Sequence, residues 1–232
     1  MAHKAGKKYR LAASVVERGR LYSLEEGLAL AKKTSFASFD GSVDLAVNLG
    51  VDPRHANQNV RGAVSLPHGL GKKARIVVFA QGEKALEAEQ EGVDFVGTDD
   101  LAAKISGGWL EFDHVIATPD MMKTVGTLGR VLGPRGLMPN PKIGTVTFAV
   151  AKAIRELKLG RAELKCDKAG IVHTSVGRVS FSDAHLKDNV VAAIDELIRL
   201  KPAAAKATYL KRVSISPTMG AGVALNPAQF RK

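Results

Sequence analysis

Residues 128–145 constrain the fold more than any other part of the chain, because four glycines, three prolines and three fixed positive charges fall within 18 residues. Proline lacks a backbone N–H and glycine weakens regular structure, so this segment can neither continue a helix nor pair as a central strand. Composition alone is compatible with an ordinary long turn, since Gly and Pro punctuate every α/β protein. We therefore expect a stiff, basic surface loop here.

The composition is that of a globular protein with a basic surface. The chain has 232 residues, of which 45% are hydrophobic, and this is enough for one large or two modest cores. Lysine and arginine outnumber aspartate and glutamate by 34 to 23, which gives a net charge of +11. Such a charge attracts polyanions before specific contacts form, so nucleic acid or an anionic membrane are the candidate partners.

Neither a membrane span nor a disulfide is expected. No apolar run approaches the roughly 20 residues that cross a bilayer. The basic N-terminus also lacks the apolar stretch of a signal peptide. We therefore expect a cytoplasmic protein. Cys166 is the only cysteine, which excludes an internal disulfide and a cysteine-based zinc cluster.

The positive charge is concentrated at the two ends of the chain. Residues 1–67 carry 10 basic and 6 acidic side chains, residues 68–158 carry 12 and 11, and residues 159–232 carry 12 and 6. The net charges are +4, +1 and +6, so +10 of the +11 lies outside the middle segment. We expect a surface that binds a polyanion to form where the two ends meet.

The two ends have the patterns of an antiparallel α+β domain. Residues 23–26 form a capping box that predicts a helix ending near Lys33. Residues 43–49 alternate as a half-buried strand, with residues 60–66 expected as the neighbouring strand. Further strands are predicted at residues 163–165, 171–176 and 209–215, and Ser182 is expected to cap a helix. These elements favour an antiparallel α/β layer sandwich.

The middle segment has a different pattern. Short apolar runs at residues 76–80, 93–96 and 115–117 alternate with predicted helices at residues 83–90 and after Thr98. This alternation predicts parallel βαβ units. A helix at about residues 148–159, closed by Gly160, would return the chain to the first domain.

The sequence thus predicts a fold that is both α+β and α/β. Domain I is discontinuous, with residues 1–67 plus 159–232, and domain II, residues 68–158, is an inserted Rossmann-like three-layer module. The predicted hinge consists of Pro67, His68, Gly69, Leu159 and Gly160.

The sequence lacks the parts of a catalytic or metal site. Its six histidines and single cysteine have no metal-ligand spacing, and neither a G-x-G-x-x-G turn nor a G-x-x-x-x-G-K-[ST] loop is present. Gly69-Leu-Gly-Lys72 precedes a strand and is too short to cradle a phosphate chain. We expect no enzyme activity, no cofactor and no metal, because a Rossmann-like fold without its site does not carry the function.

Several motifs point together to a known family. Besides residues 128–145 they are Phe39-Asp40, Asp52-Pro53-Arg54, Asn59-Val60-Arg61-Gly62, Ser65-Leu66-Pro67-His68-Gly69, Ala117-Thr118-Pro119-Asp120, Asp167-Lys168, His173 and Thr218-Met219-Gly220. In these motifs the chain resembles the ribosomal protein L-one family, the first protein of the large ribosomal subunit, along nearly its whole length. The resemblance implies the same split first domain with an inserted second domain.

The resemblance also implies a surface on domain I that binds large-subunit ribosomal RNA (rRNA). There Thr218 supplies a hydroxyl, Met219 packs on a ribose or base, Phe39 belongs to the RNA-binding face, and the hairpin with Lys168 and His173 lies beside the RNA. Hydroxyls and aromatic rings near a basic surface suit RNA, which is recognised by shape, 2′-hydroxyl contacts and stacking. The candidate RNA-binding residues are Phe39, Ser42, Lys165, Lys168, His173, Arg178, Ser216, Thr218, Met219 and Gly220.

The residues alone leave simpler alternatives open. Basic side chains, including the arm of Lys4, Lys7, Lys8 and Arg10, are most often a solvated face. Phe39 is compatible with a core position, and residues 218–220 with a hairpin turn whose Met219 packs inward. A lone histidine such as His173 is often a structural residue. Trp109, Met121 and Met122 are expected to pack within domain II, and the loop of residues 130–142 faces either the other domain or a second RNA.

The function implied by the resemblance is that of a structural constituent of the large ribosomal subunit without catalytic activity. The protein would bind rRNA as a monomer within the ribosome and form the mobile stalk at the exit site for transfer RNA (tRNA). It would assist release of deacylated tRNA and repress translation of its own operon messenger RNA, with the rRNA site filling first. The alternative is a nucleotide-using RNA-modifying transferase built on the Rossmann-like domain.

Overall fold

Two compact units make up the chain. The computed structural model describes residues 6–17, 19–205 and 208–230. Unit 1 comprises Met1–Gly71 and Gly160–Lys232, and unit 2 comprises Lys72–Leu159. The sheets are antiparallel in unit 1 and parallel in unit 2, which confirms the predicted combination of α+β and α/β architecture.

The helices and strands follow one another along both units. In chain order they are α1 (Lys7–Ser14), α2 (Leu24–Thr34), β1 (Ser42–Leu49), β2 (Arg61–Ser65), β3 (Ile76–Phe79), α3 (Glu83–Gln90), β4 (Phe95–Gly97), α4 (Asp99–Ser106), β5 (His114–Ala117), α5 (Met122–Thr127), α6 (Gly129–Leu132), α7 (Val150–Lys158), β6 (Arg161–Lys165), β7 (Ile171–Arg178), α8 (Asp183–Arg199), β8 (Leu210–Pro217) and β9 (Val223–Leu225). Within the described residues, no helix is long and apolar enough to cross a membrane.

The larger sheet of unit 1 has the strand order β7-β1-β8-β9. Its central strand β1 pairs Ser42 with Arg178 on β7 and Val43 with Pro217 on β8, and a β-bulge interrupts the β7 pairing between Val43 and Asp44. The alternation predicted for residues 43–49 is confirmed, because one face of β1 is fully buried while the other is at least partly exposed. The buried residues are Val43, Leu45, Val47 and Leu49.

The strand predicted at residues 60–66 forms, but not beside β1. β2 pairs antiparallel with β6 in a separate two-stranded sheet, with Arg61 opposite Lys165 and Ser65 opposite Arg161. The predicted neighbour was wrong because alternation determines which face of a strand is buried and carries no information about its partner. The partner of β2 instead comes from the distant C-terminal segment.

Two helices cover one face of the larger sheet. The predicted capping box is present, since Ser23 Oγ accepts from the Glu26 N–H and the Glu26 carboxylate accepts from the Ser23 N–H. Ser182 caps α8 by accepting from the His185 N–H, as predicted. Apolar side chains of α2 and α8, including Leu28 and Leu186, join the sheet in one core. The opposite face carries polar and small residues, so unit 1 is a two-layer sandwich.

Unit 2 has three layers around parallel strands in the order β4-β3-β5. Val77 and Phe79 of β3 belong to a core with α4, α5 and α6, whereas Ile76 and Val78 belong to a second core with α3 and α7. The predicted βαβ units are therefore confirmed. Trp109, Met121 and Met122 pack in the first of these cores, also as predicted.

Residues 128–145 contain more regular structure than predicted. They begin with α6 and include a 3-10 turn at Pro141–Ile143, and the Thr145 carbonyl then accepts from the Ala117 N–H at 3.0 Å. The expectation of a segment without helix was wrong because the first proline comes only at Pro134. The preceding turn is free to form and is held by the fully buried Leu132.

Contacts within unit 1 fix the two segments at which the chain leaves this unit and returns to it. The fully buried Asn189 donates through Nδ2 to the Gly69 carbonyl at 3.0 Å and the Val176 carbonyl at 2.8 Å, and it accepts from the His68 N–H at 3.1 Å. Gly160 has a φ of +99°, and a Cβ there would lie 2.7 Å from the Leu70 nitrogen. Of the predicted hinge residues, Pro67, His68, Gly69 and Gly160 thus belong to unit 1, and Leu159 is the last residue of unit 2.

We predict that Asn189→Ala lowers the free energy of unfolding by about 3 kcal/mol. The change leaves the His68 N–H and two carbonyls without their side-chain partner, and a buried polar group without a partner costs roughly 1–3 kcal/mol. Urea unfolding followed by far-UV circular dichroism measures the loss. Asp188→Ala, which removes an exposed carboxylate 3.0 Å from His68 Nε2, is the control and should cost less than about 1 kcal/mol. Equal losses in the two variants would contradict the anchoring role of Asn189.

Candidate nucleic-acid interface

Thr218 and Ser42 join the turn after β8 to the start of β1. Thr218 Oγ1 accepts from the Ser42 N–H at 2.9 Å and lies 3.2 Å from the Ser42 carbonyl, to which its hydroxyl donates. The Thr218 N–H also donates to this carbonyl, at 3.0 Å. The hydroxyl that sequence reasoning assigned to RNA is therefore engaged within the protein. A hydroxyl oxygen has two lone pairs, so one acceptor position stays free.

Phe39 and Met219 lie on the surface beside this junction. Phe39 is 58% exposed and Met219 is 48% exposed, so the alternatives that placed these side chains in the core were wrong. A Cβ built on Gly41 would lie 3.4 Å from Thr218 Oγ1 and 3.9 Å from Phe39 Cε2. Phe39 and Thr218 thus flank the same glycine, and the fold brings an exposed ring, an exposed thioether and a threonine together.

Gly220 has a packing role that the sequence did not indicate. A Cβ at this position would lie 2.8 Å from Thr34 Oγ1 and 2.9 Å from the Thr34 carbonyl. Sequence reasoning expected the glycine to let a partner approach the backbone. The close approach found here is instead to the end of α2, which fixes the turn of residues 218–220 against unit 1.

Arg178 fixes the segment that carries Phe39. Its Nη1 donates to the Asp40 carbonyl at 2.7 Å, and the Asp40 carboxylate accepts from the Ser180 N–H at 3.1 Å and the Ser180 hydroxyl at 2.8 Å. Arginine carries five N–H donors, so most of the guanidinium remains available to an anion. Asp40 and Ser180 are positioning residues that the list of candidate RNA-binding residues lacked.

The second group of candidates lies on the hairpin between β6 and β7. The Asp167 carboxylate accepts from the backbone N–H groups of Ile171 and Ala169, both at 2.8 Å, and these bonds hold the pKa of Asp167 below its usual value. Lys165, Lys168 and His173 are exposed around this turn, with His173 Nε2 3.9 Å from Asp167 Oδ2. The hairpin therefore presents cationic and aromatic side chains from a rigid backbone.

One face of the larger sheet connects the two groups. His173 and Arg178 lie five residues apart on β7, which corresponds to about 17 Å along a strand. Ser216 on β8 lies opposite Asp44 on β1, so its side chain shares the face that carries Ser42 and His173. Lys165 is the exception, because it lies on the two-stranded sheet opposite Arg61. The face is about as long as several nucleotides of RNA.

A surface groove adds residues that sequence reasoning missed. Lys7, Lys8 and Tyr9 of α1, together with Phe36, line it on one side, and residues 218–220 line it on the other. The basic arm was recognised from its charges, but its aromatic neighbours Tyr9 and Phe36 gave no signal of their own. Lys4, the first lysine of that arm, lies outside the described residues.

A metal or thiol site has no support from the described part of the chain. No group of three or more His, Cys, Asp or Glu residues there is arranged to hold a metal ion. Cys166 is buried, and its desolvation together with the nearby Asp167 raises the pKa of the thiol. A thiol with a raised pKa is a weak nucleophile at neutral pH.

A known protein family matches this chain. The model of the Ribosomal protein L1p/L10e family matches residues 31–221, most of the chain, and spans both groups of candidate residues. The chain belongs to this family. It is accordingly a large-subunit ribosomal protein that binds rRNA in the cytoplasmic ribosome, and the resemblance seen in its motifs is confirmed. The family is one of structural ribosomal proteins rather than enzymes.

We predict that Thr218→Val lowers the free energy of unfolding by about 1–2 kcal/mol, because both side-chain hydrogen bonds to Ser42 are lost. Thr218→Ser keeps the hydroxyl and should lose less than half as much. Met219→Ala removes an exposed side chain and should leave stability within about 0.5 kcal/mol of the original. Urea titration of the three variants measures the differences. A Thr218→Val variant as stable as the wild type would contradict the structural role of the hydroxyl.

Proposed function

We propose that unit 1 is the principal rRNA-binding domain and that the protein forms the mobile stalk at the tRNA exit site. The observation that supports this most is the junction of β1 and β8, where exposed Phe39 and Met219 lie beside Ser42, Thr218 and Arg178. Such a surface offers stacking, hydroxyl and charged groups at one place, which is what RNA recognition uses.

The charge distribution supports the same assignment. Residues 1–71 and 160–232 carry 22 basic and 12 acidic side chains, a net +10, whereas residues 72–159 carry 12 and 11. Phosphate contacts supply much of the affinity for nucleic acid, and base contacts supply the specificity. Lys165, Lys168 and Arg178 therefore contact phosphates in our proposal, while Phe39 and Met219 pack on bases or riboses. His173 and Ser216 lie on the sheet face that connects the two groups, and there they contact the RNA backbone in our proposal.

Our proposal gives the protein two further roles, one for this surface and one for unit 2. The same face of unit 1 binds a similar structure on the operon messenger, so that free protein represses its own translation once the rRNA site is filled. Repression of this kind needs only a higher affinity for rRNA than for messenger. Unit 2, with the basic segment of residues 128–145, assists release of deacylated tRNA. The chain acts as a monomer within the ribosome, with Pro67–Gly69 and Leu159–Gly160 as the proposed hinge region.

We further propose that the protein performs no catalysis and needs no cofactor. Unit 2 has the parallel strands of a Rossmann-like module, but its sequence lacks the glycine-rich turn that binds dinucleotide phosphates. Trp109 lies in a core of unit 2 with its ring 4.7 Å from that of Phe95, which makes it a reporter of binding there. We predict that adding ATP or NAD to millimolar concentration produces no saturable change in Trp109 fluorescence. A saturable change would favour the transferase alternative.

The assignment to unit 1 is tested by excising residues 72–159 and joining Gly71 to Gly160 through a short Gly/Ser linker. The core of unit 1 contains no residue of the excised segment, and Gly160 lies beside Gly69 and Leu70, which directly precede Gly71. We predict that the shortened chain folds and binds both the rRNA fragment and the operon messenger within about tenfold of the full chain. Circular dichroism checks folding, and a binding titration with each RNA measures affinity.

The matched control is the same shortened chain carrying Phe39→Ala and Met219→Ala, which should lose specific affinity while remaining folded. A folded shortened chain that loses a hundredfold or more, roughly 2.7 kcal/mol, would place the principal RNA site in unit 2. Ribosomes reconstituted with the shortened chain should release deacylated tRNA more slowly. Unchanged release would contradict the role of unit 2.

A further inference from the structure

Asp44 occupies an unusual place on the proposed RNA surface. It lies on the central strand β1, and its side chain is exposed on the face opposite the core. In the neighbouring strands it is opposite Ser175 of β7 and Ser216 of β8. In the four strands of this sheet, all within the described residues, Asp44 is the only carboxylate. A negative charge therefore lies at the centre of a surface bordered by Arg178, Lys168 and His173.

No lysine or arginine balances the charge of this carboxylate among the groups that shift its pKa. Loss of water against the sheet raises the pKa of Asp44, and this outweighs the opposing effects of the Ser175 hydroxyl and of His173. The Ser175 hydroxyl is shared, because it also lies 3.4 Å from the Val43 carbonyl. An ionised carboxylate accepts about four hydrogen bonds. Asp44 thus offers several acceptor positions toward solvent without an arginine or lysine partner among the groups that shift its pKa.

The chemistry of a carboxylate restricts what it can bind on RNA. It only accepts hydrogen bonds, and phosphate oxygens also only accept, so Asp44 repels the backbone that the surrounding cations attract. The donors that RNA presents are base N–H groups and the ribose 2′-hydroxyl. Guanine has N1–H and N2–H donors side by side on its Watson–Crick edge, and these match the two oxygens of one carboxylate.

We propose that Asp44 is a specificity-determining residue that accepts hydrogen bonds from the Watson–Crick edge of an unpaired guanine in the bound RNA. The inference rests on the proposed role of unit 1 as the RNA-binding domain. Guanine O6, next to N1–H, needs a donor, and the hydroxyl of Ser216 lies on the same face in the neighbouring strand. Removing Asp44 thus reduces affinity for the correct RNA even though it removes a charge that repels phosphate.

The opposite signs of these two effects provide the test. Asp44→Asn keeps the size of the side chain and an oxygen that accepts from Ser175. It replaces the second acceptor oxygen with an NH2 group, which donates. We expect at least a tenfold loss of affinity for the rRNA fragment that the wild-type chain protects from nuclease. Affinity for an unrelated RNA of equal length should be unchanged or higher. Glu25→Gln, on the helical layer, is the control for loss of one charge and should affect both RNAs equally.

The guanine is identified by replacing single unpaired guanosines of the fragment with inosine, which lacks the N2 amino group. At the correct position inosine should weaken wild-type binding and have little further effect on Asp44→Asn, because both changes remove one interaction. An Asp44→Asn variant that binds the fragment as tightly as the wild type overturns the proposal. A lower urea midpoint in Asp44→Asn would instead assign the residue a structural role, and this outcome also overturns the proposal. Wild-type protein that binds both RNAs equally would refute the proposed function itself.

Discussion

Unit 1 exists as a folded domain because the chain returns to the point where it left. The departing segment is fixed by Asn189, which satisfies a backbone donor and two backbone acceptors from a fully buried position. The returning segment passes so close to it that residue 160 must be a glycine with a positive φ. With both segments held at one place, β1 and β2 from the N-terminal part can pair with β6, β7 and β8 from the C-terminal part. An insertion between residues 71 and 160 then leaves the core of unit 1 unbroken.

Local patterns in the sequence predicted most of the elements but not all of their partners. The helix caps and alternating strands follow from contacts within a few residues, which is why α2, α8 and β1 formed as expected. The partner of β2 was missed because pairing depends on where distant segments meet. The helix α6 was missed because a composition averaged over residues 128–145 concealed a turn free of proline.

Motif resemblance predicted which side chains are exposed better than it predicted their contacts. It predicted surface positions for Phe39 and Met219, although apolar side chains usually lie in a core, and both side chains are exposed. It did not reveal that Thr218 and Gly220 serve the protein itself, through Ser42 and Thr34, because such contacts join residues more than 150 positions apart. Asp44 was detectable in principle, since it is the acidic residue at an outward position of an alternating strand.

The order of strands in the larger sheet also determines when this surface can exist during synthesis. Ser42 meets its partners only after residues 178 and 218 have been made, and β9 at the edge of the sheet ends at Leu225. Contacts of such high sequence separation form slowly and require most of the chain outside the translating ribosome. An unfinished chain therefore lacks the junction of β1 with β8. Only completed copies can compete for an RNA site, so truncated products of interrupted translation would not occupy it.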